Sequence, residues 1–278
     1  MEISIDLLKS MALEVYNKVK PQLGSEKAAE KLKKGAGGDI SMRIDLTAEK
    51  VIIDLLERQS VDLLLISEEL GEKFIGNKQK AIKSQLKLIV DPIDGSNNAV
   101  RGIPFCSVSI AYAIGNTLND ILKAVIIDLT TKDLYWAEKN NGAFLNDKRI
   151  SVSSNKISRK CIFEINVSKK NLVKDLIKYK SIIDKIFKVR VMGSTALTLC
   201  QLAKGSIDAF LNLRESNRLV DVAAGILILK EAGGKFFSKE GLPLDIKLSI
   251  KTKFPFIASN SILEPFLREK LIKINSIK

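Results

Sequence analysis

The chain has 278 residues, with 45 Lys and Arg against 32 Asp and Glu for a net charge of +13, and it contains no histidine. The missing imidazole excludes a Ser-His-Asp triad, a phosphohistidine intermediate and His-ligated zinc or haem. Acid–base or metal chemistry therefore falls to carboxylates, cysteine, lysine, tyrosine, hydroxyls and water, in a chain whose 46% hydrophobic and 28% charged residues suit one large or two medium globular domains.

Residues 4–20 are amphipathic and read as a helix closing near Pro21; they lack the basic start and small-residue cleavage site of a signal peptide. Residues 26–34 continue helically up to Gly35-Ala36-Gly37-Gly38, and Asp39-Ile40-Ser41 is extended. A second helix covers 47–59, with Val51, Ile52, Leu55 and Leu56 at helical spacing. Strand 61–67 runs into Glu68-Glu69, and strand 87–90 ends at Asp91-Pro92. Residues 97–101 form a short helical turn. Strands 107–114, 124–128 and 134–138, separated by turn signals, suggest an antiparallel meander, and Asn140-Asn141-Gly142 is a turn.

Past about residue 150 the pattern alternates. Strand 161–167 is followed by a Lys-rich helix within 171–188, striped by Leu172, Leu176, Ile183 and Ile186. Strand 189–192, helix 195–202, strand 209–213, helix 221–231, strand 235–237 and a tail helix over 264–274 complete the chain. The class is α/β (α+β), in two halves, 1–150 and 151–278.

No apolar run approaches the ~18 residues that span a bilayer. Cys106, Cys161 and Cys200 are widely spaced and form no CxxC pair, which fits a reducing cytoplasm, and none opens a C-x5-R phosphatase loop. The basic charge raises nucleic acid as a partner. The lysines are instead spread along polar helix faces, and aromatics are only 6% of residues, so stacking platforms are poorly supplied. The expectation is a solvated basic surface with no nucleic-acid or membrane partner, able to steer phosphorylated small molecules.

The informative acids sit just past apolar strands. Glu68 and Glu69 follow one; Asp91 and Asp94 follow another, within Asp91-Pro92-Ile93-Asp94-Gly95-Ser96; Asp221 opens the apolar helix Val222-Ala223-Ala224-Gly225. Pro92 removes a donor and stiffens the turn. Two carboxylates three apart can then face one point, with the Ile93 carbonyl as a further oxygen, and Gly95 lets the backbone bend past a ligand. Ser96 suits a helix cap. An oxygen-only donor set selects Mg2+ or Mn2+ over zinc. Singly, each element also reads as a turn, a solvated loop or a helix cap. The joint order carries the weight.

That joint pattern resembles the inositol monophosphatase / fructose-1,6-bisphosphatase superfamily of Mg2+-dependent phosphatases. It rests on Glu68-Glu69, on Asp91 to Ser96 with Asn98, and on Asp221-Val222-Ala223-Ala224-Gly225 leading to Glu231-Ala232-Gly233-Gly234. Gly38-Asp39, Asp45, Asn141 to Asn146 and Gly193 to Leu197 support it. The Gly-Gly-Asp segment and Arg214…Arg218 make it most similar to the archaeal-type dual fructose-bisphosphatase/inositol-monophosphatases. Ser96 stands where Thr is commoner, Val220 where Trp is usual and Ala99 where Phe is frequent.

The resemblance implies a layered αβαβα sugar-phosphatase fold with two stacked sheets. It implies two or three Mg2+ ions held by Glu68, Asp91, the Ile93 carbonyl, Asp94 and Asp221, with Mn2+ as a possible substitute. Glu68, with Asp45 and Ser96 as a hydrogen-bonded pair, would activate a water that attacks phosphorus, and Asp94 would share in catalysis. Gly95, Ser96 and Asn97 would bind the phosphate. Arg214 and Arg218 would contact substrate, including a second phosphate, or else form a surface pair. Gly38 and Asp39 would belong to a mobile loop that brings Asp39 and Asp45 in. The substrate would be fructose 1,6-bisphosphate or inositol 1-phosphate, with 3′-phosphoadenosine 5′-phosphate or NADP(H) as the alternative, and the assembly a homodimer.

Overall fold

The computed structural model describes residues 2–36 and 40–276. Helix α1 (Ile5–Val19) is capped by Ser4, whose Oγ accepts the Leu7 amide at 3.2 Å. It buries Leu8, Met11, Ala12, Val15 and Val19 on one face. Strands β1 (Lys31–Lys34) and β2 (Ile40–Met42) pair antiparallel, which corrects the helical reading of 26–34. In that stretch Ala28 is buried but Leu32 is 46% exposed. A helix there would have no apolar stripe to bury, whereas strand pairing satisfies its backbone groups. Helix α2 (Arg43–Arg58) begins before the expected residue 47, because Asp45 in its first turn accepts the Met42 amide at 2.9 Å.

The large sheet contains, among the described residues, β3 (Leu63–Ser67), β4 (Gly71–Ile75), β5 (Leu86–Asp94), β6 (Ser107–Ile114), β7 (Ile121–Asp128), β8 (Leu134–Glu138), β9 (Gly142–Leu145) and β10 (Lys148–Ile150). Their order is β10-β9-β8-β7-β6-β5-β3-β4. Strands β3 and β5 are parallel and the other neighbours antiparallel. The expected meander is therefore present and longer than anticipated. Helix α3 (Lys78–Ser84) lies between β4 and β5, and helix α4 (Ser96–Arg101) follows β5.

The small sheet joins β11 (Ile162–Asn166), β12 (Lys188–Arg190), β13 (Ala209–Asn212), β14 (Lys235–Phe237) and β15 (Phe256–Ser259) in the order β12-β11-β13-β15-β14. Its helices are α5 (Leu172–Lys178), α6 (Lys180–Ile183), α7 (Thr195–Ala203), α8 (Leu219–Glu231) and α9 (Glu264–Ser276). The expected single Lys-rich helix is broken at Tyr179. Leu172 and Leu176 are exposed, while Tyr179, Ile182 and Ile186 are buried. The apolar groups that reach the core thus lie past the break.

Three hydrophobic clusters define the layers. One joins α1 and α2 to the outer face of the large sheet. A second fills the space between the sheets around α7 and α8. A third packs α6 and α9 on the far face of the small sheet. This is the αβαβα arrangement. Helix α8 is apolar all round and buried from Leu219 to Leu229, as a helix enclosed by two sheets must be. At its crossing with α7, a Cβ on Gly225 would stand 2.6 Å from Leu199 Cδ1, so only glycine permits the approach. Among the described residues no helix is long and apolar enough to cross a membrane.

Candidate active site

The site grows from the carboxyl ends of two adjacent parallel strands. Ser67 of β3 pairs in register with Val90 of β5, so the next residues, Glu68 and Asp91, emerge side by side. Residues three apart on a regular strand face opposite ways. Here Asp91 pairs with Ser109 and Asp94 with Ser107, so β5 carries a bulge that turns both carboxylates into one cleft. Gly95 then takes φ +91°, and a Cβ there would stand 3.0 Å from the Phe105 carbonyl oxygen. Asp221 enters from the first turn of α8. Carboxylate oxygens of Glu68, Asp91 and Asp221 all lie within 4.8 Å of one another.

Each acid has an oxygen tied by a donor. Asp91 Oδ1 accepts the Ile93 amide at 3.1 Å. Asp94 Oδ2 accepts the Ala196 amide at 2.6 Å and the Ser194 hydroxyl at 2.5 Å. Ser96 Oγ lies 2.7 Å from Asp45 Oδ1 and 2.8 Å from the Ile93 oxygen, and its single proton serves one of them at a time. Asn98 Nδ2 donates to the Phe105 and Met192 carbonyls, each at 2.8 Å, and so bridges the two halves. Arg218 pairs with Glu68 through Nη1 and with Asp221 through Nη2 at 2.9 Å.

Burial dominates the electrostatics. It pushes Glu68 up to about 8, opposed by Arg218 and reinforced by Asp221. Asp94 is pushed up to about 7 by burial and then by Asp221. Asp91 rises well above its usual range through burial and the nearby Glu68. Asp45 reaches about 6, with burial partly offset by its bonds to Ser96 and Met42. Packed acids of one sign, held up by desolvation, mark a place that favours positive charge.

Asp45, Glu68, Ile93, Asp94, Gly95, Ser96, Asn97, Arg214, Arg218 and Asp221 line one cavity of about 420 Å3, with Asp91 fully buried beside it. Gly38 and Asp39 lie outside the described residues. A wider groove of about 720 Å3 beside α1 and α2 holds none of these groups. Sequence reasoning missed Glu49, which sits buried on α2 and holds the Glu68-Glu69 turn through the Ser67 hydroxyl and the Leu70 amide. An acid at helical spacing from the apolar Ile52 and Leu56 was its available signal. It also missed roles for Ser41, whose hydroxyl meets Glu69, and for Ser194.

The donor set suits a hard divalent cation. It offers only oxygens. Asp91 Oδ2 is buried and has no hydrogen-bond partner, a costly state unless a cation meets it.

The comparisons agree with this geometry. The model of the inositol monophosphatase family matches residues 2–273. A fructose-1,6-bisphosphatase/inositol-1-monophosphatase of Methanothermobacter thermautotrophicus is 37% identical, over 95% of this chain and 93% of that protein. A bifunctional NADP phosphatase/NAD kinase of Methanococcus maripaludis is also 37% identical, over 93% of this chain but only 47% of its own length. Among solved structures, an inositol monophosphatase–fructose 1,6-bisphosphatase superposes with a TM-score of 0.84 at 28% identity, covering 98% of this chain and all of that one. Strand-end carboxylates, layered fold and near-complete matches together place the chain in the inositol monophosphatase family, and with it among the phosphoric monoester hydrolases.

Proposed function

We propose that the chain is a Mg2+-dependent phosphatase for a sugar or inositol phosphate, fructose 1,6-bisphosphate or inositol 1-phosphate, with Mn2+ as a substitute ion. The observation that carries this reading is the convergence of carboxylate oxygens of Glu68, Asp91 and Asp221 within 4.8 Å, with Asp91 Oδ2 buried and without a hydrogen-bond partner. Glu68, Asp91, the Ile93 carbonyl, Asp94 and Asp221 would hold two or three ions. When bound, the ions supply positive charge that acidifies a nucleophilic water and offsets the charge developing on the phosphoryl and leaving oxygens.

The chain's own groups then divide the work. Ser96 Oγ, 2.7 Å from Asp45 Oδ1, would pass its proton to that carboxylate. That leaves a lone pair on Ser96 Oγ to accept the proton of the attacking water. Asp45, raised to about 6, is a fitting terminus for a proton near neutral pH. Glu68 would orient the same water. Gly95, Ser96 and Asn97, where the chain enters α4, receive the phosphate. Arg214 lines the same cavity with Lys31 and Asn166 and would meet the rest of an anionic substrate.

In this reading residues 1–150 supply most cation ligands and 151–278 supply Asp221 and the arginines. The same reading takes the protein as a cytoplasmic homodimer without nucleic-acid or membrane partners. The test is phosphate release from fructose 1,6-bisphosphate, inositol 1-phosphate, 3′-phosphoadenosine 5′-phosphate and NADP, with Mg2+ and with EDTA. Turnover that persists in excess chelator overturns the reading. A second reading, NADP phosphatase, is favoured by the equal identity to the bifunctional archaeal relative. A kcat/KM at least about tenfold higher for NADP than for fructose 1,6-bisphosphate would select it.

A further inference from the structure

The Arg218 guanidinium holds the same oxygens that a divalent cation needs. Nη1 pairs with Glu68 Oε1, Nη2 stands 2.9 Å from Asp221 Oδ1, and Nε donates to that same oxygen at 3.0 Å. The Arg218 amide donates to the other oxygen of Asp221 at 3.2 Å. The pairing is well buried, the three side chains being 15%, 11% and 8% exposed. Two of the three clustered carboxylates are thus engaged by a resident cation. A divalent ion at Asp221 Oδ1 would stand beside the guanidinium that already holds that oxygen. Their like charges, a few ångströms apart in a poorly solvated cleft, repel strongly.

The backbone beneath Arg218 is pinned. The Asn217 carbonyl accepts the Phe254 amide at 3.0 Å, and the Leu219 amide donates to Thr252 at 3.2 Å. Asn212 Nδ2 holds the Asn217 side chain at 2.8 Å. Displacement of the guanidinium is therefore a rotation of a long side chain about a fixed root. The cavity into which it rotates also holds Gly95, Ser96 and Asn97, the segment assigned above to the phosphate.

We propose that Arg218 is an internal counter-cation of the carboxylate cluster: it competes with the divalent ion for Glu68 and Asp221, and once displaced it binds the phosphoryl anion, so that cation and phosphate bind cooperatively. This rests on the reading that Glu68, Asp91 and Asp221 hold a divalent ion. A contact closed nine-tenths of the time weakens cation binding about tenfold, because the apparent Kd is the intrinsic Kd divided by the competent fraction. Linkage requires phosphate to tighten the cation by the factor with which the cation tightens phosphate.

The experiment is calorimetric titration of Mn2+ into chelator-stripped protein, wild type and Arg218→Gln, with and without inorganic phosphate. Without phosphate, Arg218→Gln should bind Mn2+ about tenfold more tightly than wild type. Phosphate should tighten Mn2+ in both, through its direct contact with the ion, but by a clearly larger factor in the wild type. Equal or weaker Mn2+ binding by Arg218→Gln, or equal enhancement by phosphate in both, overturns the proposal. Should the stripped Arg218→Gln protein not fold, Arg218→Lys replaces it. That variant keeps the charge but loses the fork that spans both acids, so it should bind Mn2+ more tightly than wild type, and equal affinity is the refuting result. If wild type and variants alike bind no Mn2+, the cation reading itself falls; if all bind equally, only the competition does.

Discussion

A chain without histidine leaves the range between pH 5 and 8 to its perturbed acids, and that makes the cleft measurable by stability alone. Burial holds Asp94 up to about 7 and Glu68 up to about 8, whereas the unfolded chain releases both protons near pH 4. The native protein stripped by EDTA therefore binds more protons than the unfolded one across this window. Stability is greatest at the acid end and is lost as pH rises toward the folded-state values. Each excess proton is worth about 1.4 kcal/mol per pH unit. From pH 5 to 7, Asp94 and Glu68 alone hold one to two excess protons, worth about 3–5 kcal/mol, and the raised Asp91, Asp45 and Glu164 steepen the same slope. For 278 residues the unfolding entropy is about 0.6 kcal/mol/K, so Tm should fall by at least about 5–9 °C. With saturating Mg2+ the slope should reverse, because the ion needs ionised ligands and binds more tightly as protons leave. Scanning calorimetry at pH 5, 6, 7 and 8, in EDTA and in Mg2+, reads both slopes. A Tm in EDTA that stays level or rises from pH 5 to 7 refutes the reasoning.

Asp94→Asn retains an oxygen for Ser194 and Ala196 but loses the charge, so turnover should fall on the order of 10^2- to 10^3-fold with unchanged far-UV circular dichroism; near-normal phosphate release would remove Asp94 from the site. Asn98→Ala leaves the Phe105 and Met192 carbonyls without their donor and should cost about 2–4 kcal/mol in urea unfolding. Gly225→Ala sets a methyl 2.6 Å from Leu199 Cδ1 and should destabilise by about 1–3 kcal/mol, read as a lower Tm; an unchanged Tm would mean that α7 and α8 shift apart freely. Arg214→Ala should raise KM for fructose 1,6-bisphosphate more than for inositol 1-phosphate, and equal increases would deny it a second-phosphate role.

The acids were legible because their chemistry is written locally. Asp91 and Asp94 stand at the end of an apolar strand beside a proline and a glycine, and that spacing needs no distant partner to be noticed. The central strands were legible for the same reason: 107–114 and 124–128 are apolar runs bounded by turns. What failed depended on partners. Lys31 to Lys34 has a helical composition and becomes a strand because Ile40 to Met42 supplies its hydrogen bonds. Phe256 to Ser259 carries little strand signal, yet it is buried between β13 and β14 and pairs antiparallel with both. Glu49 reads as a surface acid until Ser67 and the Leu70 amide are seen to fold around it. The embrace of Glu68 by Arg218 joins residues of the two sheets' halves and has no local trace at all.

The cleft also depends on the sandwich that encloses it. Asp94 Oδ2 receives the Ala196 amide at the start of α7, so the acid acts as an anionic partner to that helix's positive end. Ser194 reinforces the junction: its Oγ caps α7 by accepting the Leu197 amide at 3.2 Å while its proton goes to Asp94. The segment is anchored in turn to the small sheet. Glu164 of β11 accepts the Met192 amide at 3.2 Å and the Thr198 hydroxyl at 2.8 Å. A chain of hydrogen bonds thus runs from the small sheet through α7 to Asp94 on the large one. Asp94 is therefore oriented by donors that stay in place as its proton comes and goes, and its direction is set before any ion arrives. Asp91 lacks such support at Oδ2, and Glu68 leans on the Arg218 side chain. In the proposed reading the rigid acid and the adaptable pair would divide two tasks: Asp94 would fix where a cation sits, while Glu68 and Asp221 would exchange one positive partner for another at little cost in buried charge.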